Sequence, residues 1–173
     1  MKYKLFIVIL LSVFIIGKYV PYKYNSQKAV EYATQKTEKK SRCMCAWYVM
    51  RAIQHGGCYP CGIYPAYAYN KMLPRMGFTK IDPDNIQKGD ICVLSQNSRS
   101  QFGHIAIFNG KQWISDYQQK DIFPNDTYRK ESKIYYFRQS NGWHTANICI
   151  SPFDLYEYIK VLIYNYKRIR IFN

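Results

Sequence analysis

An α+β fold, in which a helix packs on a mostly antiparallel sheet, follows from three features of the sequence. In SRCMCAWYVMRAIQHGG (residues 41–57), Cys45, Val49, Ala52 and Ile53 fall on one stripe at helical spacing. From Ile81 onward the texture turns to β: PDNIQKGDICVLSQ, GHIAIFNGKQWISDYQ and KIYYFRQ are short runs rich in Ile, Val, Tyr and Phe, separated by turn residues. The order, helices first and strands after, is not the alternation that builds a parallel doubly wound sheet.

The elements follow in order. Residues 1–21 open with Lys2 and Lys4 and run apolar from Leu5 to Ile16, with Ser12 the one polar residue, the layout of an export signal. Twelve residues are short for a span that needs roughly 20, yet no small-residue cleavage site follows, because Gly17 runs into Lys18, Tyr19 and Val20. A removed signal peptide and an uncleaved signal anchor therefore both stand, and either places the rest of the chain outside the cytoplasmic membrane. Residues 22–40 are polar and Lys-rich, which reads as a tether. The globular part spans 41–140. Its first helix covers about Met44 to Gln54 and is stopped by His55, Gly56 and Gly57, with the imidazole at the negative helix end. A second short helix is expected over Ala66 to Leu73, broken by Pro74 and Gly77. Asn109-Gly110, between IAIF and QWIS, is the strongest hairpin signal. Residues 141–173 form a basic extension whose tail carries Ser151, Pro152 and Asp154 at helix-starting positions, and a helix docked on the domain is expected there.

At 173 residues the chain has room for one domain with a real core and short appendages. The formal net charge of +14 is spread along it: +6 over 1–40, +6 over 41–150 and +2 over 151–173. No block of Lys and Arg interleaved with stacking aromatics appears, so the charge points to anionic membrane or wall polymers and not to nucleic acid. Six cysteines fit an oxidising compartment, where Cys58 and Cys61 would close a small loop. The rival arrangement is structural zinc, since Cys43, Cys45, Cys58 and Cys61 supply four soft ligands. Against it, C-x-C lies on a helix entrance, not in a knuckle turn. No metal and no cofactor is expected.

A thiol is a useful nucleophile only as thiolate, and a helix N-terminus, with its unsatisfied N–H groups and positive dipole end, favours that form. Cys45 occupies this position; Cys43 falls on another side of the turn. A base must stand nearby. His55 lies at the far end of the same helix, roughly 15 Å away, and His144 has no readable pattern around it. His104, opening a strand directly after Gly103, can stand at the sheet rim and face a helix terminus. The natural carboxylate to orient it is Asp116 across the hairpin. Register decides this pairing. A two-residue Asn-Gly loop pairs residues whose numbers sum to 219 and sends Asp116 to the other face, whereas one extra loop residue pairs His104 with Asp116. The triad thus requires an irregular hairpin.

These residues resemble a family. Ser41, Cys45-Ala46, Tyr48-Val49, Ala52-Ile53 and Gly56-Gly57, then Gly89-Asp90-Ile91, then Gly103-His104-Ile105-Ala106-Ile107, then Trp113-Ile114-Ser115-Asp116, look like the CHAP family of cysteine amidohydrolases/peptidases, relatives of NlpC/P60 and papain-like enzymes. The resemblance covers about residues 41–140. It implies a papain-like domain with Cys45 as nucleophile, His104 as base and then acid, Asp116 as orienting residue, and peptidoglycan amide bonds as substrate. Cys43, Cys58, Cys61 and the basic tail depart from the pattern. The alternative is a non-catalytic envelope-binding or scaffold protein whose thiols are oxidised or metal-bound. An inhibitor or immunity partner is left open by the sequence.

Overall fold

The computed structural model describes residues 19–58 and 64–147. The expected export segment lies almost wholly outside these, as do Cys61 and the expected C-terminal helix. Among the described residues no helix is long and apolar enough to cross a membrane.

Seven strands and four helices make up the described domain. Strand β1 (Tyr19–Tyr24) leads into helix α1 (Ser26–Lys36), and α2 (Cys45–His55) follows. A 3-10 turn over Ala66–Ala68 runs into α3 (Tyr69–Arg75). Then come β2 (Thr79–Ile81), β3 (Ile91–Leu94), β4 (His104–Phe108), β5 (Trp113–Ile114), α4 (Asp126–Glu131), β6 (Ile134–Arg138) and β7 (Gly142–Asn147). Five strands form an antiparallel sheet in the order β2-β6-β3-β4-β5, and β1 pairs antiparallel with β7 in a separate ribbon. The α+β expectation agrees with this architecture.

Period-2 alternation builds two cores on the sheet's two faces. Ile91, Val93, Ile105, Ile107, Ile114 and Phe137 join the helices' apolar stripes, including Val49, Ala52 and Ile53 of α2. Cys92, Leu94 and Ala106 point the other way, against Trp113 and Tyr128. Helix α2 therefore lies flat on the first face, with its N-terminus near the start of β4.

Two boundaries differ from the sequence reading. Residues 22–40 are no tether: Asn25 caps α1 by accepting the Lys28 N–H at 3.0 Å, and Ala29, Val30 and Ala33 are buried. Three small residues at near-helical spacing carry little hydropathy, but they let α1 approach α2 closely. Residues 142–147 are strand, not part of an extension. The glycine pair after α2 does more than end the helix. A Cβ on Gly57, at φ +103°, would lie 2.2 Å from the Lys23 carbonyl oxygen, and Asn25 donates its N–H to the Gly56 carbonyl at 2.8 Å. The end of β1 is thus seated on the glycines.

Asp90, from the Gly-Asp-Ile block, is a strut. It is 1% exposed, and its carboxylate receives Arg138 Nε and Nη2, both at 2.7 Å, and the Gln87 N–H at 2.6 Å. The pair fastens the start of β3 to the end of β6. Arg138→Ala leaves a buried carboxylate without its cation and is expected to cost about 3 kcal/mol, read as a lower midpoint in urea denaturation; an unchanged midpoint would remove this role.

Candidate active site

Helix α2 presents Cys45 as its first residue. The residue before it, Met44, has no polar side chain with which to cap the helix, so the entrance is held from elsewhere. Asp116 supplies the hold. It is fully buried, and its Oδ2 accepts the backbone N–H of Arg42 at 2.5 Å, that of Met44 at 3.2 Å and the Ser41 hydroxyl at 3.1 Å. Its Oδ1 accepts the Ser115 hydroxyl at 3.1 Å, and its carbonyl accepts the Glu38 N–H at 2.8 Å. Wrapped over this carboxylate, the segment turns at Cys43, whose φ of +58° is the one left-handed value outside glycine among the described residues.

The backbone N–H of Ile105, the residue directly after His104, acts on the Cys45 thiol, and the charge of Asp116 acts on both Cys45 and His104, which sets thiol and imidazole at one corner of the domain. Gly103 makes this possible. Its φ is +66°, and a Cβ there would lie 2.4 Å from the Leu94 carbonyl oxygen and 3.0 Å from Tyr67 Cβ. The glycine lets the chain pass between β3 and the turn before α3 and enter β4 with His104 at the rim. Tyr128 braces the same corner: its hydroxyl donates to the Gly103 carbonyl at 2.8 Å, and its ring meets the imidazole edge-to-face at 5.9 Å.

The partner of His104 corrects the sequence reading. His104 Nε2 lies 3.0 Å from Gln119 Oε1, not against Asp116. The amide orientation is fixed from its other end, where Gln119 Nε2 donates to the Asp121 carbonyl at 3.3 Å. Oxygen therefore faces the ring, Nε2 carries the hydrogen, and Nδ1 is left as the base. The hairpin is irregular, but by a larger offset than expected. Ile107 pairs with Ile114 and Phe108 with Trp113, so the loop is Asn109 to Gln112. Asn109 Oδ1 holds that loop by accepting the N–H groups of Lys111 and Gln112 at 2.9 and 2.8 Å. β5 then ends after two residues and the chain doubles back, with Ile114 bridging Gln118 and the Gln119 N–H donating to Trp113. Asp116 sits in that bend, aimed at the α2 entrance, and Gln119 emerges from it beside His104.

Burial pushes the Cys45 thiol up to about 12, against the pull of the Ile105 N–H; Asp116 adds to the rise, the Ala46 N–H opposes it and Cys43 adds a little. Burial lowers His104 below its ordinary value of 6.5, opposed by the Gln119 bond and by the charge of Asp116. At neutral pH the pair therefore rests as thiol and neutral imidazole. The geometry suits a concerted step in which the imidazole takes the thiol proton as sulfur attacks.

The other candidates fall elsewhere. His55 is exposed at the far end of α2, stacked on Tyr32 at 3.8 Å. His144 sits on β7, its Nε2 2.7 Å from the Ser140 carbonyl. Cys58 is buried at the opposite end of α2 from Cys45, near Tyr22 and Tyr24. Eleven helical residues span roughly 16 Å, so the two thiols cannot share one zinc ion. Among the described residues no group of three or more His, Cys, Asp or Glu side chains could hold a metal.

Fold and site together define an α+β protein built around a helix-borne thiol and a strand-borne imidazole. Protein-family models and curated proteins gave no match. Two crystal structures are similar. One is the native type VI effector–immunity complex Tae3–Tai3 from Ralstonia pickettii, at 31% identity and TM-score 0.64, covering 68% of this chain and 100% of that one. The other is its selenomethionine form, at 29% identity and TM-score 0.60, covering 64% and 98%. The chain belongs to the family of the type VI effector Tae3.

Proposed function

We propose that the chain hydrolyses amide bonds in the peptide part of peptidoglycan, with Cys45 as nucleophile and His104 as base and then acid. One observation carries this: in a member of the Tae3 family, the helix-borne Cys45 and the strand-borne His104 share one corner, with Gln119 Oε1 3.0 Å from the imidazole Nε2. Cys45 Sγ bonds to the carbonyl carbon as its proton passes to Nδ1, and the negative oxygen is met by N–H groups of the first α2 turn. The imidazolium then protonates the leaving amine, and water, deprotonated by the same ring, cleaves the thioester. Gln119 keeps the ring in the tautomer this needs.

The likeness of the cysteine and histidine blocks to CHAP and NlpC/P60 sequences supports a papain-like assignment. Export by residues 1–21 and retention by the chain's positive charge on anionic wall polymers fit a substrate outside the cytoplasmic membrane. An immunity protein is the partner this reading implies, because the similar structures are effector–immunity complexes.

The test is digestion of purified peptidoglycan under reducing conditions, with the fragments analysed by mass spectrometry. Expected are peptide fragments with new free amines and no new sugar reducing ends, which also name the bond cut. Peptidoglycan left intact by the wild-type chain would overturn the proposal.

A further inference from the structure

We propose that Asp116 is a positioning residue for the nucleophile: its carboxylate is the anchor on which residues 41–44 fold, and that anchor delivers Cys45 to the rim of β4. The inference rests on the hydrolytic reading above for its catalytic consequence, though not for its geometry.

Three observations carry it. The carboxylate is completely buried and gathers three donors from one four-residue segment, the Ser41 hydroxyl and the N–H groups of Arg42 and Met44. That segment has no cap of its own, since Met44 stands where a Ser, Asp or Asn would normally serve. Its path is also strained: Cys43 takes a left-handed conformation that a residue with a Cβ adopts only when its surroundings enforce it. Without the carboxylate, the part-buried N–H groups of Arg42 and Met44 and the Ser41 hydroxyl lose the one acceptor they share. Remove the carboxylate and the segment has reason to unwind, taking the first residue of α2 with it.

The charge of Asp116 acts on both reacting groups, favouring the protonated form of the Cys45 thiol and of the His104 imidazole alike. For proton transfer between the two, these effects act in opposite directions. What is left is placement. The other groups facing this corner are Arg42, Cys43 and Tyr48 at the α2 entrance, Glu38, whose carboxylate is taken by the Arg42 and Tyr48 side chains at 3.1 and 2.9 Å, Tyr117 and Gln119 after β5, and Tyr128 of α4. None of them offers the 41–44 backbone a second buried carboxylate.

Asp116→Asn and Asp116→Ala separate anchor from charge. Asparagine keeps an oxygen for Arg42 and Met44, and its NH2 can donate to the Ser115 hydroxyl, so the anchor survives without the charge. D116N is expected to lose less than tenfold in kcat/KM. The acid limb of its pH profile, which reports His104 in the free enzyme, moves to lower pH, because a charge that held the ring's proton is gone. D116A is expected to lose at least about a hundredfold, the scale of an ångström-sized misplacement. A merely structural residue would leave the acid limb where it was. A residue that orients the imidazole directly would instead make D116N as damaging as D116A.

A second measurement needs no substrate. In a Cys43→Ala background, iodoacetamide labelling of Cys45, located by peptide mass mapping, is followed against pH. Its midpoint is expected to fall in D116N. An unmoved midpoint together with equal losses in D116N and D116A would overturn the proposal, whereas a wild-type chain that labels as expected yet cuts no peptidoglycan would count against the hydrolytic reading alone.

Discussion

Cys45→Ala lowers peptidoglycan hydrolysis by at least about four orders of magnitude, the scale seen when a covalent nucleophile is removed. The fold survives this change, because alanine keeps the Cβ of Cys45 and the stripe on α2 is anchored by Val49, Ala52 and Ile53. A stability change of about 1 kcal/mol or less is expected. Cys43→Ala is the companion variant. Its side chain is exposed, and alanine meets the left-handed backbone there with no more difficulty than cysteine, so turnover stays within about threefold. Release of free amines from purified peptidoglycan, measured for both variants beside their urea midpoints, checks the pair. Full activity in Cys45→Ala would refute the assignment of the nucleophile. Loss in both variants with intact folding would mean that the two thiols act together.

The second large effect is steric. Gly103→Ala forces a methyl group to within 2.4 Å of the Leu94 carbonyl oxygen, a backbone atom held in the β3–β4 ladder, at a φ of +66°. Left-handed backbone costs alanine about 1 kcal/mol. The overlap with Leu94 cannot be relieved by rotating a side chain, so β4 must shift at its first residue. A loss of about 3 kcal/mol or more in folding stability is expected, along with most of the activity, because the residue that moves first is His104. Thermal denaturation and the hydrolysis assay together test this. A variant with wild-type melting and wild-type turnover would show that the crossing has room for a methyl group.

The helix that carries Cys45 was legible because its apolar stripe is long and strongly periodic, and its observed limits lie one residue from those the sequence predicts. The strand of His104 was legible because Gly103 and Asn109 bracket an apolar run. The orienting residue was not. Pairing Asp116 with His104 assumed that β5 continues past Ile114, whereas the chain bends at Ser115 and returns; Ser115 and Asp116 are turn formers, but with no Gly or Pro beside them they do not outweigh the apolar run before them. Gln119 belongs to no motif and gains its position only from that bend. Tyr128 left a fainter trace, since Asn125 is a helix cap ahead of DTYRKE, but nothing local says that this helix reaches Gly103. The N-terminal residues were misjudged for a different reason. Helix α1 packs with Ala and Val among many lysines and glutamines, and β1 finds its partner more than a hundred residues away. Such long-range pairing leaves no mark on a local window.

That pairing has a topological outcome. Tyr19 lies opposite Asn147, so the polypeptide enters and leaves the described domain at a single point. Deleting either terminal strand therefore strips the other of its hydrogen-bonding partner, so the two ends of the described domain are kept or lost together.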